Sequence, residues 1–267
     1  MIRKPVVAGR FYPENAGSLR ADIERMLESG TSKRKAVGVV SPHAGYPFSG
    51  PVAGAVLSRI EIPDTFVIMG PNHAGMGSPF SIMVDGKWET PLGQAGIDSE
   101  LGASLLEGSN YLVDDPSAHG YEHSIEVQIP FLLYLKEDIK IVPIIFAHAS
   151  GEVYKQIGKE IAASVRSSGK KVALMASSDM THYEPYDVAR AKDMKAIDAI
   201  LELNADELVR RVDELAITMC GYGPTVALIS AARDLGAKEA ELVRYQTSGD
   251  VTGDYGRVVG YAGVIIQ

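Results

Sequence analysis

Five short apolar runs constrain most strongly what this chain can fold into: Ala36 to Val40, Phe66 to Met69, Ile141 to Phe146, Val172 to Met175 and Val258 to Ile266. They are short and rich in β-branched residues, so they read as strands buried on both faces. Between them the apolar spacing changes to the helical period, at Ser18 to Leu27, Ala53 to Ile60, Ser99 to Leu106, Ser124 to Leu135, Val153 to Val165, Ala189 to Leu203 and Thr225 to Leu235. That alternation predicts an α/β fold, a central mostly parallel or mixed β-sheet covered by helices on both faces. Ser18 and Asp206 are expected to cap helices, and Gly169 and Gly236 to end them. No long polar linker interrupts the apolar segments from Val6 to Ile266, so one domain over residues 1–267 is expected. No repeat of fixed period points to a solenoid or propeller.

With 267 residues, 46% of them hydrophobic, the chain needs neither metal nor disulfide merely to build a core. The formal charge of -8 argues for solubility, and the one dense basic stretch, Lys33-Arg34-Lys35, is too short for a nucleic-acid interface. No apolar run approaches the length of a membrane span, and the first apolar stretch is cut at Arg10, too early for a signal peptide. A cytoplasmic protein with no membrane partner is expected. Cys220 is the single cysteine and has no internal partner, which fits a reducing compartment. By residue type it is a small buried side chain, a reactive thiol or a metal ligand.

The chemistry is suggested by position. His43, His73 and His182 each follow an apolar strand, in Val-Gly-Val-Val-Ser-Pro-His43, Val-Ile-Met-Gly-Pro-Asn-His73 and Ser-Ser-Asp179-Met-Thr-His182. Open α/β sheets bind ligands at strand carboxyl ends, so parallel neighbours would bring these imidazoles together. His43 and His73 sit between a proline and a glycine, in loops expected to be stiff with one permissive hinge. Cys220 lies in a glycine-rich turn before a helix expected to start near Pro224. With two imidazoles it would make a His₂Cys set suited to iron, copper or zinc. Glu122, His123 and Glu126 fall within about one turn of an expected helix start, where they either cap it or line the same pocket. Asp179 is spaced to orient or charge His182 as a proton shuttle, or to serve as a cap. His148, after Ile-Ile-Phe-Ala, is a weaker strand-end candidate.

Taken in order, Pro42-His43-Ala44-Gly45-Tyr46, Gly70-Pro71-Asn72-His73, Glu122-His123-Ser124-Ile125-Glu126, Ser177-Ser178-Asp179-Met180-Thr181-His182-Tyr183 and Met219-Cys220-Gly221-Tyr222-Gly223-Pro224 resemble the motifs of the Memo family. The resemblance runs from Arg10-Phe11-Tyr12-Pro13 to Gly260-Tyr261-Ala262-Gly263. It implies a fold like that of the class III extradiol dioxygenases, non-haem Fe(II) enzymes, and hence a metal-dependent oxidoreductase. By the same resemblance His43 and His73 match the metal ligands, while His123 and His182 match the histidines that handle protons. The third ligand would be Cys220 in place of a carboxylate. A thiolate retunes iron and admits copper or zinc, so Fe(II) is the expected cofactor with Cu or Zn as alternatives.

Three functions therefore stand beside one another. One is a metal-dependent oxidoreductase on His43, His73 and Cys220, with His182, Asp179, His123, Glu122 and Glu126 as acid, base or supporting groups. Another is a non-catalytic pocket for a small-molecule or peptide ligand, as proposed for eukaryotic relatives. The last is a hydrolase with Cys220 as nucleophile and His182 as base.

Overall fold

A computed structural model of the protein describes residues 1–267. Its strands are β1 (Ile2–Arg3), β2 (Gly38–Ser41), β3 (Thr65–Pro71), β4 (Phe80–Ile82), β5 (Lys87–Thr90), β6 (Gly93–Ile97), β7 (Val113–Asp114), β8 (Lys140–Phe146), β9 (Val172–Ser177), β10 (His182–Glu184), β11 (Ala240–Thr247) and β12 (Val258–Ile266). Its helices are α1 (Ala16–Met26), α2 (Tyr46–Leu57), α3 (Ser99–Glu107), α4 (Ile129–Leu135), α5 (Gly151–Ser168), α6 (Tyr186–Leu201), α7 (Ala205–Glu214), α8 (Tyr222–Asp234) and α9 (Gly249–Thr252). The strands form one 12-stranded sheet in the order β1-β5-β6-β8-β3-β9-β2-β12-β10, with β11 also on β12 and β4 bridging β8 and β7. The five apolar runs form its centre, as the sequence implies.

Strands β6, β8, β3, β9 and β2 run parallel, and β12 closes them antiparallel. Alternate residues of each central strand enter opposite cores. Val67 and Met69 of β3 pack with Val142, Ile144, Leu174 and Ala176 beneath α5 and α8, while Phe66 and Ile68 pack with Ile141, Ile145, Ala173 and Met175 beneath α1, α2 and α4. Burial on both faces is why these strands read as continuous apolar runs. Because β2, β3, β8 and β9 are parallel, the loops after Ser41, Pro71, Phe146 and Ser177 leave the same edge of the sheet.

Several local expectations shift. Helix α2 starts at Tyr46 rather than Ala53: Pro47 lies in its first turn, where a missing N–H costs little, and Pro51 is held inside the helix by packing. The helix expected from Ser124 begins only at Ile129, after a 3₁₀ turn over Glu126–Gln128, because the Glu122 carboxylate takes the amides of His123 and Ser124. Asn15 caps α1 through the amide of Ser18, and Asn204 caps α7 in place of Asp206. Gly169 and Gly236 follow their helices with φ of 63° and 96°, as expected. Strands β4 to β7, β10 and β11 are short or only half-buried, and lack the apolar density that marks the others. No helix is long and apolar enough to cross a membrane.

Candidate metal centre

The loops after β2 and β3 bring His43 and His73 together, and the turn before the 3₁₀ segment adds His123. Ring centroids lie 5.2 Å apart for His43 and His73, 5.6 Å for His43 and His123, and 4.7 Å for the stacked pair His73 and His123. One ligand nitrogen from each falls within 4.8 Å of the other two, a group that could hold a metal ion. The cluster runs from buried His43 through half-buried His123 to exposed His73, at the floor of a cavity of about 420 Å³ lined also by Phe11, Asp179 and His182. Of the two histidine loops only the second has the left-handed hinge that the sequence suggests. Gly75 has φ of 64°, whereas Gly45, at φ -55°, begins α2.

The hydrogen bonds fix which nitrogen of each ring carries the proton. Ser177 Oγ donates to the Ser124 carbonyl at 2.6 Å and accepts from Gln128 Nε2 at 2.9 Å, so His43 Nδ1, at 3.0 Å, is also a donor to it. His73 Nδ1 donates to Glu122 Oε1 at 3.0 Å, and His123 Nδ1 lies 3.4 Å from the same oxygen. His182 Nδ1 donates to the Thr218 carbonyl at 2.9 Å. In His43, His73 and His182 the proton sits on Nδ1, and Nε2 keeps its lone pair. Glu122 is itself held rigidly: besides the rings it accepts the backbone N–H of His73 at 2.5 Å, His123 at 2.9 Å and Ser124 at 2.8 Å. These donors and the neighbouring imidazoles outweigh its burial and keep it ionised well below the usual carboxylate range.

Cys220 stands beside the cluster. Its Sγ lies 3.3 Å from His43 Nε2 and accepts the Asp179 N–H at 3.3 Å. The turn that brings it there needs Gly221, where a Cβ would come within 2.4 Å of the Ser177 carbonyl oxygen. Burial, and then the Asp179 carboxylate, push the thiol pKa up. The sequence-based set of His43, His73 and Cys220 is therefore met by a group of three imidazoles in which His123 stands with the other two, with the thiol touching His43. Burial also lowers the pKa of His43 and of His123, so both stay neutral, the state in which imidazole binds a cation. Three imidazoles with an adjacent sulfur suit iron, copper or zinc, not magnesium or calcium.

Other candidates fall in different places. Asp179 accepts the His43 amide at 2.7 Å, and burial raises its pKa to about 6. No hydrogen bond joins it to His182, which is oriented instead by Thr218, so of the expected Asp179–His182 couple only the charge interaction is present. Glu126 also lies apart from the cavity. It pairs with Arg3 and accepts the amides of Val6 and Val7 and the Tyr12 hydroxyl, tying the N-terminal arm to the sheet. His148 bonds Tyr222 at 3.1 Å and lines a neighbouring cavity of about 260 Å³ that also reaches His73 and Cys220. The sequence reading did not single out Ser177, Thr218 and Gln128, which orient the rings or staple the loops. Ser177 carries a local signal, a hydroxyl at a strand end beside a histidine loop; the other two carry none.

The sequence model of the Memo-like protein family matches residues 3–265. The chain is 47% identical to a MEMO1 family protein of Methanococcoides burtonii, over 100% of both chains. It is 45% identical to one from Methanothermobacter thermautotrophicus, over 98% of this chain and 99% of that one. In fold it is similar to the crystal structure of an uncharacterized protein, JW3007, from Escherichia coli K12, with a TM-score of 0.61 at 16% identity over 86% of this chain and 100% of that chain.

Proposed function

Because the chain belongs to the Memo-like protein family, we propose that it is a metal-dependent oxidoreductase whose His43, His73 and His123 hold one iron or copper ion, with Cys220 beside them. The observation that carries this reading is the fixed tautomer. His43 and His73 each spend the Nδ1 proton on an acceptor of the chain, at Ser177 and Glu122, and keep the other nitrogen as a lone pair. Such rings lose little freedom on binding a cation, and a pocket built only to hold an organic ligand has no need of two of them beside a third imidazole. A bound iron or copper ion would supply electron exchange with an oxygen-class oxidant, whereas zinc would supply only charge.

The remaining wall gives the chain its own part in the chemistry. His182 Nε2 carries a lone pair at the cavity lining and is placed to take a proton from a bound ligand and return it. Phe11, packed edge-on against His123 at 4.8 Å, limits water at that side of the cluster. Asp179 holds the His43 loop through the backbone and so acts on ring position.

A second reading has an observation of its own, since a thiol 3.3 Å from an imidazole nitrogen is also how a cysteine nucleophile meets its base. The base would then be His43, because the thiol meets His43 Nε2 and makes no hydrogen bond to His182. Burial and Asp179 keep the thiol protonated, the reverse of an activated nucleophile, and this ranks the hydrolase second.

Elemental analysis of protein purified without chelators, and again after anaerobic reloading with Fe(II) and Cu(I), tests the metal reading. Stoichiometric metal in the parent and a trace in the His43→Ala, His73→Ala, His123→Ala triple variant are expected. Equal traces in both after reloading would overturn it. Hydrolysis that survives chelation but not thiol alkylation would favour the second reading.

A further inference from the structure

The cavity over the imidazoles does not end at His182. It shares Tyr183, Val259 and Tyr261 with a second cavity of about 340 Å³, whose far side is formed by Phe48, Ser248, Thr252 and Arg257. The two cavities together make a groove with imidazoles in one part, the Tyr183 and Tyr261 rings at the shared wall and a guanidinium in the other part. Arg257 lies 5.6 Å over the Tyr183 ring and forms no ion pair with any carboxylate of the chain. The acid closest to it along the lining, Asp254, is turned to its own loop and accepts the Gly256 N–H at 2.9 Å.

Tyr183 has a second peculiarity, φ of 62°, a left-handed conformation that an aromatic residue adopts at a cost. The pairing of β10 with β12 is irregular between His182 and Glu184, so Tyr183 is the bulged residue. The residue is 65% exposed and so is not held there by core packing. Strain of this kind at a cavity wall, with nothing gained in the core, is expected where a ring is kept in place for a ligand.

We propose that this groove binds an elongated ligand with an apolar body and a single carboxylate remote from its reacting end, Arg257 taking the carboxylate and Tyr183 and Tyr261 packing the body. Arg257 is suited to this task because its planar fork can hold both carboxylate oxygens while its face rests on Tyr183. The proposal rests on the metal reading only for which end of the ligand reacts.

Matched acid and amide pairs test it, with ω-phenylalkanoates of increasing chain length and their primary amides as probes, measured by calorimetry on metal-free full-length protein. At least one acid is expected to bind about tenfold more tightly than its amide, the range for one charge-assisted contact. Arg257→Gln should erase that preference, and Arg257→Lys should keep part of it, and both variants should take up metal as the parent does when reloaded. Tyr183→Gly should weaken both members of the pair while the melting temperature stays level or rises, because glycine relieves the positive φ. If no acid outbinds its amide, or if the preference survives Arg257→Gln, the proposal is overturned. A Tyr183→Gly variant that melts lower yet binds as the parent does would remove Tyr183 from it. Acid preference in a protein that never takes up metal would sink the metal reading and leave the groove standing.

Discussion

Glu122 and Glu126 lie on one short segment, both buried and both saturated with hydrogen bonds, yet they organise different parts of the molecule. Glu122 gathers His73, His123 and four loop amides. Glu126 gathers Arg3, Tyr12 and the amides of Val6 and Val7. A carboxylate with imidazole partners shapes reactive groups, whereas one with a guanidinium, a phenol and amides holds structure. The difference teaches that burial and charge alone do not mark a functional acid; the chemistry of its partners does.

The largest test of that division is Glu126→Ala, which strands the buried Arg3 guanidinium among His119 and Glu122 carbonyls. Breaking a buried pair in this way costs about 3–5 kcal/mol. Urea unfolding should show that loss, while the chain that remains folded keeps its full metal content. A loss of metal without loss of stability would reverse the roles assigned to the two acids.

His119 supplies the next test, as a histidine of the structural side. Ser81 Oγ donates to the Asp115 carbonyl, so the ring donates Nε2–H to Ser81 and leaves Nδ1 without a partner. This is the opposite tautomer to the rings of the cavity. Burial, then Arg3, lowers its pKa from 6.5 to about 4. Below about pH 6.5 the unfolded chain takes the proton and the folded chain does not, so stability should fall with pH until about 4. This group's share is on the order of 2–3 kcal/mol across that window. Unfolding curves of the parent and of His119→Gln should converge in slope above that window and diverge within it; parallel curves throughout would remove His119 from the acid response.

Smaller effects sharpen the other half of the comparison. Glu122→Gln retains an acceptor but not the charge, and should weaken metal binding by about 10–100-fold, the range for partners that orient ligand histidines. Competition with a chromogenic chelator would read it, and unchanged affinity would show that His73 needs no orienting carboxylate. Cys220→Ser should alter affinity least, by less than about tenfold, while shifting preference away from copper. If it abolished binding outright, the thiol would have to be counted among the ligands on equal terms with the imidazoles.

Much of this was legible in the sequence where a physical period or position carried it. The parallel sheet followed from apolar runs buried on both faces, and the meeting of His43, His73 and His182 followed from their common place after strands. Glu126 was misplaced because its partners, Arg3 and the amides of Val6 and Val7, lie 119 to 123 residues away and leave no local trace. The spacing of Asp179 and His182 predicts their charge interaction but not what orients the ring, because the strand that begins at His182 turns it toward Thr218. The groove to Arg257 was invisible for a further reason: it depends on a bulge, and a bulge shifts side chains without changing the residue pattern.

The scattered origin of the cluster has a consequence for how the chain matures. His43 and Cys220 are in contact although 177 positions separate them, and the loops of His43 and His73 follow β2 and β3, which are held apart in the sheet by the later strand β9. The three imidazoles all lie between residues 43 and 123, but β9, which spaces the two histidine-bearing strands, and Cys220 are synthesised later, and an unfolded chain presents its imidazoles singly. Cation capture by the proposed centre would thus report that β9 has docked between β2 and β3, and by mass action it would trap that arrangement. Pulse-labelling with metal during refolding is expected to see uptake only after these central strands have assembled.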